Sequence, residues 1–169
     1  MKKATLIILA IILFVLPLIP WGHSIVKDIQ FSANCGEYLK LAADANNIDI
    51  AEKHLTTAIN YLETNNLTSG HTKVFVYRPS NDIGLWYENL KIAQSQLREM
   101  QTTEYTELEQ SNMLMKLRET ILDDGGSLTK PVGIALVPNF TLMFWLNWLL
   151  WLPCWVLGTV LCVAIDDIY

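Results

Sequence analysis

The chain has 169 residues, of which 51% are hydrophobic and 17% charged, and its formal net charge is −5 at pH 7. The acidic balance argues against a nucleic-acid partner. All charged residues except Lys2, Lys3, Asp166 and Asp167 fall within residues 23–130. Two uncharged apolar ends around an ordinary globular middle argue against a soluble enzyme of the usual kind, a wholly disordered chain and a polytopic transporter.

Ala4 to Trp21 is uncharged for 18 positions, about 27 Å as a helix and close to the hydrocarbon thickness of a bilayer. The residues that follow offer neither the alternating small side chains of a signal-peptide cleavage site nor a lipidation pattern at Cys35. Residues 1–22 are therefore expected to be an uncleaved transmembrane anchor. Pro17 and Pro20 are placed to end its helix, and Trp21 suits the membrane interface.

Residues 23–130 are expected to form an extracytoplasmic helical domain. Ile25, Ile29, Ala33, Leu39, Ala42 and Ala43 keep near-helical spacing as far as Asn46-Asn47. A second helix is expected from Asp49, with Asp49 and Glu52 at capping-box spacing. Ala51, Leu55, Ala58, Ile59 and Leu62 form its apolar stripe, which Asn65-Asn66 ends. The two helices make an antiparallel hairpin. Ala51, Leu55 and Ala58 after the Asn46-Asn47 turn resemble the second half of one tetratricopeptide unit, but a solenoid needs about three or more, and the pattern reads as ordinary helix packing.

Thr72 to Tyr77, TKVFVY, alternates as a strand would before Arg78-Pro79-Ser80-Asn81-Asp82 breaks it. Between Leu85 and Asp124 there is no Gly or Pro, and good helix formers dominate. Trp86, Leu90 and Leu97 share a helix face expected to pack on the hairpin. Two architectures are open for residues 82–122. One is a single helix of about 60 Å that projects as a stalk; the other breaks at 101–105 and gives four similar helices in a bundle. Thr106 and Glu109 stand at capping-box spacing, yet residues 101–105 hold no Gly, Pro, Asn or Asp, so propensity favours a continuous or merely bent helix. A bundle would bring 72–77 and 132–137 to one end, where they would pair as a two-stranded ribbon.

Pro131 to Ile165 is uncharged for 35 residues, about 52 Å if wholly helical and too long for one straight crossing. Pro138-Asn139 divides it into a membrane-proximal segment at 131–138 and a second transmembrane helix at 139–165, followed by a tail at 166–169. By the positive-inside rule Lys2 and Lys3 stay in the cytoplasm. That puts both termini in the cytoplasm of a bacterial inner membrane and residues 23–138 in the periplasm. The expected fold is an all-α membrane protein, two transmembrane helices flanking a helical hairpin plus a long helix, coiled-coil or bundle-like, with room for a small β element.

His23, His54 and His71 lie far apart without a second ligand at metal spacing, so neither a metal nor a cofactor is expected. No glycine-rich phosphate loop, nucleophile elbow or Cys-x-x-Cys pair occurs, so no catalytic residue is assigned and the protein is expected not to be an enzyme. Cys35 is the only cysteine outside the anchors and reads as a free buried thiol or an intermolecular bridge.

The candidate interaction residues lie in the second anchor. Cys154, Gly158 and Cys162 fall at i, i+4 and i+8, with Asn147 two turns earlier on nearly the same side. Trp145, Trp148, Trp151 and Trp155 form the adjoining face. Small residues let helices approach closely in lipid, and a buried amide there favours a hydrogen-bond partner. The strip packs either on the first anchor or on a partner. The expected function is a scaffold, accessory or docking subunit of a larger membrane assembly, in contact with lipid and with a protein partner or a second copy through this helix. The alternative is an extracytoplasmic sensor module that binds a ligand between its helices. Its anchor–helices–anchor layout resembles bacterial sensor receptors in topology alone, and the four residues after Ile165 leave no transmitter.

Overall fold

Three short polar residues set the helix ends in the middle of the chain. The Asn47 side chain accepts the Asp49 backbone N–H at 2.7 Å and caps a helix that starts at Ile48. Asn66 takes a left-handed φ of 56°, so that the Leu67 N–H reaches the Leu62 carbonyl and the Asn66 N–H reaches that of Glu63, which closes the same helix at Thr64. Thr106 and Glu109 form a reciprocal capping box that starts a new helix at Glu107.

The computed structural model describes residues 2–16, 18–102, 104–137 and 140–166. The protein is all-α. Its helices are α1 (Lys2–Val15), α2 (Leu18–Phe31), α3 (Glu37–Ala43), α4 (Ile48–Thr64), α5 (Ile83–Thr102), α6 (Glu107–Ile121) and α7 (Phe140–Asp166), with a π-helical turn at Ser32–Gly36 between α2 and α3. They divide into two compact units, Met1–Lys27 with Asn139–Tyr169, and Asp28–Pro138.

In the first unit α1 packs along α7. Ala10, Cys154 and Gly158 are buried there, while Ile8, Ile11 and Ile12 of α1 and Leu149, Val156 and Val160 of α7 are exposed. The stretch Ile7–Ala43 contains a helical window long and apolar enough to cross a membrane by length and composition, and 6% of that window is buried. Pro20 does not end a helix. It occupies the first turn of α2, where the missing N–H has no helical acceptor to lose. Pro17, Pro138 and Asn139 lie outside the described residues.

The second unit is a four-helix bundle. α3 neighbours α4 and α6, and α5 neighbours α4 and α6, so consecutive helices run up and down around one core. Leu39, Leu55, Ile59, Leu90, Leu97 and Leu117 fill the centre, and Ala42, Ala51, Ala58 and Ala93 allow close helix approach. Leu67, Leu122, Ile134 and Ala135 close the core from the connecting segments.

The long helix that propensity favours over 82–122 is not formed. α5 stops at Thr102, and the Thr106–Glu109 box restarts the chain as α6. The expected turn residues are unnecessary because capping satisfies the exposed N–H groups at α6's start, and burial of Leu117 and Ile121 draws α6 back onto α3. The second helix begins at Ile48 rather than Asp49, since Asn47 is the cap, and Glu52 turns to Arg98 and Thr56 instead of to Asp49.

No strand occurs among the described residues, and the two-stranded ribbon is absent. Residues 73–78 form an irregular loop, whose root is tied where Thr72 N–H donates to Asn81 and Ile83 N–H to Gly70. At 132–137, Gly133 adopts a left-handed φ of 85° and starts a 3-10 turn at Ile134–Leu136, which buries Ile134 and Ala135 in the bundle rather than pairing them with 72–77.

Candidate functional site

The candidate strip on α7 divides between two environments. Cys154 and Gly158 face α1, and a Cβ built on Gly158 would stand 3.0 Å from Phe14 Cζ. The Phe14 ring meets Trp155 edge-on, with centroids 5.7 Å apart, and Trp155 in turn lies 5.6 Å from Trp151. Cys162 is exposed.

One helical turn before Trp151, Asn147 is half-buried, and its Oδ1 is buried without a hydrogen-bond partner among the described residues. With Trp21, Trp148, Trp151 and Leu152 it lines an open cleft of about 320 Å³. The cleft walls are apolar, and Asn147 is their one amide. A group of this kind favours an approaching donor, because an unsatisfied buried acceptor loses its solvation with no return. Trp145 and Trp148 are exposed along the same helix.

In the bundle, Leu90 and Leu97 lie in the core while Trp86 is half-buried and donates its Nε1–H to the Thr129 carbonyl at 2.6 Å. Thr129 is itself held to the end of α6 by hydrogen bonds to the Thr120 and Ile121 carbonyls. Trp86 thus ties the start of α5 to the segment that follows α6.

A polar network joins α4 to α5. Glu52 Oε1 accepts from Arg98 Nε at 2.8 Å and from the Thr56 hydroxyl at 2.7 Å, and the buried Gln94 donates to Thr56 at 2.6 Å. Burial pushes the Glu52 carboxyl up, but the Arg98 and Thr56 hydrogen bonds outweigh it and hold the group below 4.5. Near the other end of the same helix pair, Tyr87 donates to Glu63 at 2.6 Å, and burial together with the Glu63 charge pushes the phenol up to about 12. Both arrangements fix helix register and leave no group poised for proton transfer.

Cys35 is fully buried, with Sγ 3.8 Å from the Ala58 carbonyl, and burial pushes its thiol up to about 12. A neutral buried thiol is a poor nucleophile, and its location does not suit a bridge between chains. His23 and His71 are exposed, while His54 is half-buried against the Tyr38 ring. Among the described residues no three His, Cys, Asp or Glu side chains gather as a metal site.

No family model, curated protein or solved structure matches this chain.

Several residues of these sites were silent in the sequence. Phe14 is one apolar residue among many in α1, and only the approach of α7 selects it. Trp21 reads as an interfacial anchor, yet it walls the Asn147 cleft. Gln94 carried a usable signal: a polar residue next to the apolar stripe of Ala93 and Leu97 predicts a buried hydrogen bond.

Proposed function

We propose that the chain is a two-span membrane protein, not itself an enzyme, that docks onto a larger membrane assembly through α7 and holds residues 28–138 outside the bilayer. The observation that carries this reading is Asn147, which lines an open apolar cleft and whose buried Oδ1 has no hydrogen-bond partner among the described residues. An approaching helix would supply the donor and fill the cleft; the amide's share is about 1–2 kcal/mol at most, so packing against Trp148 and Trp151 contributes the remainder. The outward apolar side chains of α1 and α7 support contact with lipid. Cys154 and Gly158 are engaged with α1, so the docking face is the Asn147–Trp148–Trp151 side.

The test is purification of the full chain from its native membrane in mild detergent, with the stoichiometry of what accompanies it. The reading expects a stoichiometric second protein or a second copy, lost on Asn147→Leu with insertion unchanged. Monodisperse single chains carrying a bound small molecule would favour the sensor reading instead. A membrane-impermeant thiol reagent applied to intact cells tests the topology: it should reach cysteines placed at exposed sites of the bundle and not one added after Tyr169.

A further inference from the structure

Residues 65–81 contain Lys73 and Arg78 and no acidic residue, in a chain whose net charge is −5. Within this basic stretch the irregular loop carries its apolar side chains outward: Phe75 is 71% exposed, Val76 50% and Tyr77 68%. The loop is nonetheless shaped. Thr72 and Ile83 tie its root to Asn81 and Gly70, Asn81 Nδ2 donates to the Val76 carbonyl at 3.3 Å, and the Tyr77 ring meets that of His71 at 4.7 Å.

Its place in the bundle supplies the second observation. Phe31, at the end of α2, lies 6.2 Å from Tyr61 near the end of α4, and Lys130 stands over Phe31 and within 3.8 Å of Asp28. Trp86, at the start of α5, donates to Thr129. The α4–α5 loop therefore occupies the end of the bundle at which the chain arrives through Asp28 and to which it returns at Thr129 and Lys130, ahead of its last bundle residues, Ile134 and Ala135. On the two-span reading, on which this inference rests, the first span precedes Asp28 along the chain and the second follows Lys130 after residues 131–137.

We propose that the 73–78 loop is a membrane-interface contact, with Phe75, Val76 and Tyr77 seated among the lipid headgroups and Lys73 and Arg78 paired with anionic phosphates. Aromatic side chains favour this depth, and basic residues near an anionic surface add attraction that salt screens. The pairing of charge with aromatic exposure on one short loop selects an anionic lipid surface over a soluble apolar partner.

The full chain, with its three cysteines changed to Ala, is reconstituted in phosphatidylcholine vesicles with or without phosphatidylglycerol. A fluorophore is attached at Phe75→Cys, at Glu104→Cys as a distal control, or at Val160→Cys as a span control. With the anionic lipid, a nitroxide lipid labelled near the headgroup should quench position 75 at least twofold more than position 104, and Lys73→Glu with Arg78→Glu should remove that excess. Equal quenching at 75 and 104 with strong quenching at 160 overturns the inference and leaves the two-span reading standing. Absence of quenching at 160 overturns the two-span reading and the inference with it. Equal excess quenching with and without phosphatidylglycerol overturns the pairing with anionic phosphates. Hydrogen exchange on the unsubstituted chain in nanodiscs gives an independent reading: amides 74–78 should exchange more slowly with the anionic lipid, and unchanged exchange overturns the proposal.

Discussion

Phe14 and Gly158 fit so closely that a methyl group on the glycine would fall 3.0 Å from Cζ and 3.1 Å from Cε2 of the ring. The ring also meets Trp155 of the same helix edge-on, so a shift that relieved the clash would disturb that contact as well. Gly158→Leu is expected to weaken the α1–α7 pair by about 1–3 kcal/mol, the usual cost of overpacking. Phe14→Ala in the same chain should restore part of that loss. Unfolding of the full chain in detergent, followed by tryptophan fluorescence, measures both effects, and simple additivity of the two changes would show that the residues do not touch.

Leu97 on α5 and Leu117 on α6 are both buried in the bundle. Leu97→Ala and Leu117→Ala should each cost about 2–5 kcal/mol, whereas Leu108→Ala, on the exposed side of α6, should change stability by less than about 0.5 kcal/mol. Chemical unfolding of the full chain reads all three. A small effect at Leu117 would mean that α6 does not fold back onto the bundle.

The turn between α5 and α6 depends on Thr106, whose hydroxyl accepts from the Glu109 N–H while Glu109 reaches back to the Thr106 N–H. Thr106→Ala should cost about 1 kcal/mol, within the usual range for loss of an N-cap. Thr106→Asp should retain most of the stability, because its carboxylate accepts the same hydrogen bond. Equal melting temperatures for Thr106→Ala and the unchanged chain would remove the cap from the account of this turn.

Glu52 gives the bundle an acid-dependent component. Its folded-state pKa lies below the unfolded value of 4.5, so folding releases a proton as pH falls into this range and the unfolded chain binds protons more readily. The associated stability is fully present above pH 4.5 and is lost as pH falls through the lower folded-state pKa. Glu52→Gln should therefore lower the melting temperature at neutral pH and reduce its fall as pH drops below 4.5. A fall of unchanged size in the variant would assign the acid sensitivity to other carboxylates.

Helical spacing in the amino-acid sequence already located α4 and the face it buries, although Ile25 and Ile29, on the expected stripe of the preceding helix, are exposed. Ala51, Leu55, Ala58, Ile59 and Leu62 recur at helical spacing, and all five are buried. The Thr106–Glu109 box was equally legible, since capping needs only two side chains three residues apart. These are local properties, set by backbone geometry and side-chain periodicity within about two turns.

How those elements combine depends on contacts between residues distant along the chain. Propensity over 101–105 favours helix because it counts each residue alone, whereas the break is stabilised by burial of Leu117 and Ile121, more than a dozen residues away. The alternation of 72–77 and the apolar run at 132–137 suited strands, but a strand needs a partner for its backbone groups, and the Gly133 turn instead directs Ile134 and Ala135 into the core. On α7 the spacing of Asn147, Cys154, Gly158 and Cys162 described a single strip. Packing divided it, because Phe14 occupies the Gly158 side while Asn147 lines an open cleft.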